Sequence, residues 1–240
     1  MHMISFDLGL AGKTIRIHCL EEQTKEYCKD FVLENSQVPD FEVSIFQEDL
    51  LKEKELECNK GSYGSIELSC LYRKIVTKLA NDNILLFHCS AVEVNGCAYC
   101  FAARSGVGKS THVRLLFKAL GDKIHYINDD KPLLRFTDDG IEVYGTPWNG
   151  KERKSANVFY PLKGIALLSR SPTNSIELID SKTAYKRIVE QIYLPSSKAE
   201  LIQVLGMIDK LLTSTPIFDL KANMEIEAAL TSYKGMMERN

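Results

Sequence analysis

Several things are scarce in this chain of 240 residues, and each scarcity closes off a class of protein. No apolar run approaches the roughly 20 residues that span a bilayer, so a helical membrane protein is not expected. Charge of one sign is not in excess. Thirty Lys and Arg stand against 32 Asp and Glu, for a net charge of −2. A broad basic field for nucleic acid or a polybasic anchor for an anionic membrane is therefore not expected. The first residues, MHMISFDLGLAGK, do not show the charged-then-apolar layout of a secretory leader. The expected setting is cytoplasmic. Seven cysteines are an odd number, several in apolar segments, and they read as reduced, buried thiols. Cys97 and Cys100 form one C-x-x-C, but it lies in a strand-like run and has no second pair at a zinc-binding spacing. Tryptophan is scarcer still, with Trp148 the only one.

What remains is an ordinary mixture, 45% hydrophobic and 26% charged, long enough for one large domain or a small one followed by a medium one. There is no internal repeat. Residues 1–82 read as a small α/β region. MISFDLGL and KTIRIHCL are strand-like around a turn at Gly12. EEQTKEYCKDFVLEN has helical spacing at Tyr27, Phe31 and Leu33. FEVSIFQ alternates as a strand does, and SIELSCLYRKIVTKLA reads as a helix. From residue 83 the texture changes. ILLFHCSAVEV, CAYCFAA, KIHYIND, PLLRF, LKGIALLSR and SIELI are strand-like. STHVRLLFKALG, KTAYKRIVEQIYL, KAELIQVLGMIDKLLTS and MEIEAALTSYKGMME are helix-like. Asn95-Gly96 between two of the strands predicts a tight hairpin. The expectation is an α/β fold in which antiparallel strands mix with helices, not a regular βαβ repeat.

The stretch FAARSGVGKST carries the chemistry. A strand, a glycine-rich loop and a helix follow one another, which is the context of a phosphate-binding loop. Its usual pattern begins with glycine, and here that slot holds Ala103, which fits if its φ is negative. The candidate nucleotide cradle is Arg104, Ser105, Gly106, Val107, Gly108, Lys109, Ser110 and Thr111. Gly106 and Gly108 let the backbone approach phosphate. The N–H groups at the helix start point at it, Lys109 reaches the β and γ phosphates, and the Ser110 hydroxyl ligates Mg²⁺. About twenty residues on, IHYINDDKP places Asp129 and Asp130 at a strand end. There a divalent cation would relieve the repulsion of adjacent carboxylates.

The order HCSA, FAARSGVGKST, NDD resembles the catalytic core of HPr serine kinase/phosphorylase and of ATP-dependent phosphoenolpyruvate carboxykinase. GTPWNGKE, with NDDKP, resembles a group of small HPr-kinase-like bacterial proteins. The resemblance implies the phosphoenolpyruvate-carboxykinase-like P-loop fold with a mixed, largely antiparallel sheet over 83–240, preceded by the small α/β region. It implies ATP and Mg²⁺ as cofactors, and transfer of the γ-phosphoryl group to a hydroxyl, such as a serine of a small protein or peptide. A small-molecule kinase or carboxykinase-like enzyme and a nucleotide-binding module without turnover stay open as alternatives. So do the acceptor and a homo-oligomeric state. Carried over residue by residue, Asp129 is the base, Asp130 joins Ser110 at the metal, and His88 lies beside phosphate or metal. Arg104 and Lys151 are available to the transferring charge. Two features of those families are missing: the substrate arginine site of the carboxykinases and the glycine-rich loop that engages HPr. In place of the latter stands VYGTPWNGKERKSANV. It is expected either to be a solvated turn or to close over the site with Trp148 as its apolar face.

Overall fold

The computed structural model describes residues 3–35, 38–57, 62–150 and 152–238. The chain divides into two compact units, Met1–Asp82 and Asn83–Asn240.

In the first unit, β1 (Ile4–Leu10) and β2 (Lys13–Cys19) form an antiparallel hairpin. It turns at Ala11 and Gly12, both at positive φ, as a two-residue hairpin loop demands. β3 (Phe41–Ser44) adds to β2 in parallel. The expected helix after β2 is short: α1 (Glu22–Tyr27) stops where the chain turns to bury Cys28 and Phe31. Val32 then pairs with Leu8 on the edge of β1. α2 (Gln47–Glu57) was not legible in the sequence. In α3 (Tyr63–Leu79), Ile66, Cys70, Leu71, Ile75 and Leu79 form a buried stripe at helical spacing.

The second unit is built on a mixed sheet. The run ILLFHCSAVEV, which reads as one strand, is two: β4 (Ile84–Leu86) and β5 (Ser90–Val94). Between them the backbone N–H groups of Phe87, His88 and Cys89 go to Pro132, Gln191 and Asp130 in turn, so no ladder continues through. β5 turns through Asn95 and Gly96, both at positive φ, into β6 (Cys97–Ala102), whose last five residues are buried. α4 (Lys109–Leu120) follows and ends at Gly121, at φ 59°. Then come β7 (His125–Asn128), β8 (Leu133–Phe136), β9 (Ile141–Tyr144) and the long β10 (Phe159–Arg170). β11 (Ser175–Ile179), α5 (Ser181–Val189), α6 (Lys198–Ser214), β12 (Ile217–Ala222) and α7 (Ile226–Ser232) complete the order. Along the sheet the strands run β4-β8-β9-β10-β6-β5-β7, with β12 also on β10 and β11 on β12. Within this sheet only β6–β10 and β10–β12 are parallel; its other described pairings are antiparallel. β9 and β12 are further strands that the sequence did not announce.

The topology explains why three distant motifs can meet. β5 is antiparallel to both of its neighbours, with Ala91 level with Cys100 of β6 and with Asn128 of β7. The carboxyl ends of β6 and β7 therefore lie beside the amino end of β5. Those ends lead into the glycine loop, Asp129 and His88. Beneath the loop, Phe101, Val113, Leu116, Ala166 and Leu220 belong to one buried cluster with Ala228 and Met236. His112 of α4 also meets Ser232 of α7 at 2.9 Å.

No described helix is long and apolar enough to cross a membrane. Cys97 and Cys100 are three apart on a strand and so face opposite sides of the sheet. Among the described residues no group of three or more His, Cys, Asp or Glu side chains could hold a metal.

Candidate functional site

The glycine loop runs from β6 into the first turn of α4. Gly106 and Gly108 have φ of 78° and 120°, values that side chains rarely tolerate. Ala103, in the slot usually held by glycine, is not among the positive-φ residues, and it is buried. Alanine fits there because this position, one past the end of β6, does not take a positive φ. The Val107 N–H closes a turn onto the Arg104 carbonyl at 3.2 Å.

Lys109 opens α4. Its side chain is 11% exposed, and its ammonium nitrogen is shut off from solvent with no hydrogen-bond partner. The Asp130 carboxylate lies 3.6 Å away, an ion-pair distance. An ammonium placed so costs the fold roughly 1–3 kcal/mol of unmade hydrogen bonding. Stability therefore does not account for its position.

Asp130 is the hub. His88 Nε2 lies 3.1 Å and Lys131 Nζ 2.6 Å from its carboxylate oxygens. Burial pushes this carboxyl up. The His88 hydrogen bond and the Lys131 and Lys109 ammoniums outweigh burial and hold it well below the usual carboxylate range. Asp129 behaves oppositely: burial raises it, the Gly150 N–H lowers it, the Asp130 charge raises it again, and the net direction is upward. Adjacent carboxylates are thus driven apart, one firmly ionised and one more ready to accept a proton.

The turn around them is built by Asn128, which the sequence reading passed over. Its side-chain carbonyl accepts from the Asp130 and Lys131 N–H groups at 2.8 and 2.6 Å. Its amide donates to the Thr146 carbonyl and hydroxyl, each at 3.0 Å, and to the Trp148 carbonyl at 3.4 Å. Asn128 and Thr146 are fully buried. The only available signal was a polar residue at the end of the apolar strand IHYIN.

The described residues of 145–154 divide: Glu152 and Arg153 are exposed, as a solvated turn would have them, whereas Gly145–Trp148 are buried. Trp148 is 3% exposed and is not among the walls of the neighbouring cavity, so in this structure it does not present an apolar face to it. A Cβ at Gly145 would run into the Ala156 carbonyl, and the Gly145 N–H is bound to the Val158 carbonyl at 3.0 Å. Gly150 presses its N–H onto Asp129 Oδ1, an approach that a side chain would crowd. The segment is anchored to the acidic pair by its own backbone.

A cavity of about 670 Å³ joins these groups. His88, Ser105, Lys109, Ser110, Thr111, Asp129, Asp130, Asn149 and Gly150 are among its walls. Gly106 and Gly108 line it as well, whereas Val107 turns away to pack against the core cluster. Arg104 borders the cavity, but its side chain is 72% exposed and its guanidinium binds Glu190 through two hydrogen bonds of 3.0 and 2.8 Å. In this structure the guanidinium is engaged by Glu190 at the end of α5, which offers it a bidentate carboxylate. Lys151 lies outside the described residues. Arg170, Lys131 and Gln191 were not singled out from the sequence, and no local motif marks them.

The residues fit a nucleotide triphosphate and its cation. The buried ammonium lacks an acceptor, the loop carries no Cβ where phosphate oxygens would approach, and Ser110 and Asp130 offer oxygen donors of the kind Mg²⁺ takes alongside phosphate.

No family model matches the chain, and no curated protein matches it. Among solved structures, it is similar to the HPr(Ser) kinase/phosphatase from Coxiella burnetii. The identity is 8%, the match covers 62% of this chain and 95% of that one, and the TM-score is 0.34. The likeness is a distant one.

Proposed function

We propose that the second unit binds ATP with Mg²⁺ and transfers the γ-phosphoryl group to a hydroxyl acceptor. The observation that carries this reading is Lys109: a buried ammonium without a hydrogen-bond acceptor, set at the start of a helix behind two positive-φ glycines. In phosphoryl transfer the protein mainly positions groups and stabilises charge, and the cavity supplies both. Lys109 and the N–H groups at the head of α4 hold the triphosphate. Ser110 and Asp130 hold the cation, which when bound neutralises charge on the phosphates. His88 holds the Asp130 carboxylate at Oδ1. Asp129, made more basic by burial, takes the proton from the acceptor hydroxyl. A serine of a small protein or peptide is the acceptor class this reading favours. Lys151 is left as a proposed phosphate contact.

One observation favours a second reading. The Gly150 N–H stabilises the ionised form of Asp129 and so lowers its basicity. That suits a nucleotide-binding module without turnover. γ-Labelled ATP with Mg²⁺ separates the two when wild type and Asp129→Asn are incubated with serine-bearing peptides and with lysate. The kinase reading expects label to leave the nucleotide for an acceptor only with wild type. Tight ATP binding with all label retained on the nucleotide would replace it by the module.

A further inference from the structure

Arg170 ends β10 on the same edge of the sheet as the glycine loop. β10 runs parallel to β6 with Leu167 level with Ala102, so three more residues bring the chain alongside the loop. There the Arg170 guanidinium takes two consecutive loop carbonyls: Nε donates to Val107 O at 2.8 Å and Nη2 donates to Gly106 O. Arg170 also borders two cavities. One is the phosphate cavity. The other, of about 540 Å³, lies against Val107 on a wall that includes Leu167, Arg187 and Gln191.

The loop needs such a hold. Its two glycines have wide backbone freedom, and a Cβ built on Gly106 or Gly108 would meet nothing within 4 Å. Neighbouring side chains do not wedge these positions. The described peptide bonds include no cis form. In a trans peptide the carbonyl and the N–H that follows it point in opposite directions. Turning the Val107 carbonyl onto Arg170 therefore sends the Gly108 N–H the other way, at the head of α4. Gly108 lines the phosphate cavity and not the second one, while Val107 lines the second and not the first. A loop carbonyl turned toward a triphosphate would instead repel it.

We propose that Arg170 is a positioning residue of the phosphate loop: it holds the Gly106 and Val107 carbonyls so that the Val107 N–H stays closed on the Arg104 carbonyl and the Gly108 N–H faces the bound triphosphate. This rests on the nucleotide reading above. Both prongs of the guanidinium are needed, and a lysine, which keeps the charge but not the planar fork, does not replace it.

The test uses the full chain and four proteins: the parent, Arg170→Gln, Arg170→Lys and Lys109→Ala. Titration calorimetry measures their affinity for ATP and for inorganic tripolyphosphate. Thermal midpoints and the amide resonances of Gly106 and Gly108 are recorded without ligand. Both Arg170 variants are expected to bind ATP and tripolyphosphate at least about tenfold more weakly. Their midpoints should be unchanged and both glycine amides shifted. If Arg170→Lys binds as the parent does, the residue acts by charge alone and the proposal is overturned. If Lys109→Ala loses binding while both Arg170 variants keep it, the loop is a phosphate site that holds its shape unaided, and again only this proposal falls. If Lys109→Ala binds ATP as the parent does, the nucleotide reading itself fails and takes this proposal with it.

Discussion

Glu67 in the first unit and Lys109 in the second are both charged groups withdrawn from water, and their surroundings differ completely. Glu67 is fully buried, and its carboxylate accepts the Leu20 and Glu21 N–H groups and the Thr24 hydroxyl. Nearby, Asp7 takes two prongs of Arg16, and Glu53 pairs with Arg73 at 2.8 Å. Each of these charges is balanced within the fold. Lys109 keeps an ion-pair contact but no hydrogen bond, and the Asp129–Asp130 pair beside it is split into unlike acids. A charge whose bonds are complete serves structure. A charge left incomplete, in a walled cavity beside a glycine loop, is poised for something that arrives. The contrast can be broken or sharpened by substitution.

The largest effect is expected in the first unit. Glu67→Ala strands two N–H groups and a hydroxyl, and should destabilise that unit by about 3 kcal/mol. Denaturant unfolding measures this, and ATP affinity should not follow. Next comes Asp130→Asn, which strips an ionised partner from His88, Lys131 and Lys109 and should cost roughly 2–3 kcal/mol. It should also raise the Mg²⁺ concentration needed for nucleotide binding, which a titration against Mg²⁺ reads.

A slightly smaller effect belongs to His112. Burial pushes its imidazole down to about 4, against an ordinary value of 6.5. The unfolded chain therefore takes up this proton before the folded one does. The stability tied to neutral His112 is complete above about pH 7, and it is lost as pH falls through 6.5 toward 4. Unfolding free energy should drop by about 2 kcal/mol between pH 7 and pH 5 through this group, a component that His112→Gln removes.

The smallest effect has the opposite sign. Because Asp129 is raised in the fold, its ionisation opposes stability at neutral pH. Asp129→Asn should stabilise the protein by under about 1 kcal/mol while abolishing transfer. A destabilised Asp129→Asn would show that this carboxylate is structural, as Glu67 is.

Much of this was legible in the sequence, for a physical reason. The hairpins at Ala11-Gly12 and Asn95-Gly96 need positive φ, and Gly12, Asn95 and Gly96, which tolerate it, advertise themselves, although Ala11 does not. The glycine loop and the acidic pair are local motifs, so their chemistry could be read before their geometry. What stayed hidden depends on partners far along the chain. ILLFHCSAVEV reads as one strand because nothing local shows that Pro132, Gln191 and Asp130 take the N–H groups of Phe87, His88 and Cys89. Trp148 in a polar, Gly-flanked stretch looks exposed until Asn128, twenty residues earlier, ties down its carbonyl. Arg170 lies 63 residues beyond the carbonyl of Val107 that it holds. β9 and β12 are short strands whose pairing partners supply the order that their own few residues do not.

The most direct test of the account is calorimetric titration of Mg²⁺–ATP into the wild-type chain and into Lys109→Ala, with thermal midpoints measured on both. Removing a buried ammonium that makes no hydrogen bond should leave the midpoint unchanged or slightly raised. ATP affinity should fall by about a hundredfold or more, since the charge-assisted contacts to phosphate are gone. Equal affinities, or a Lys109→Ala chain that loses stability as Glu67→Ala does, would contradict it.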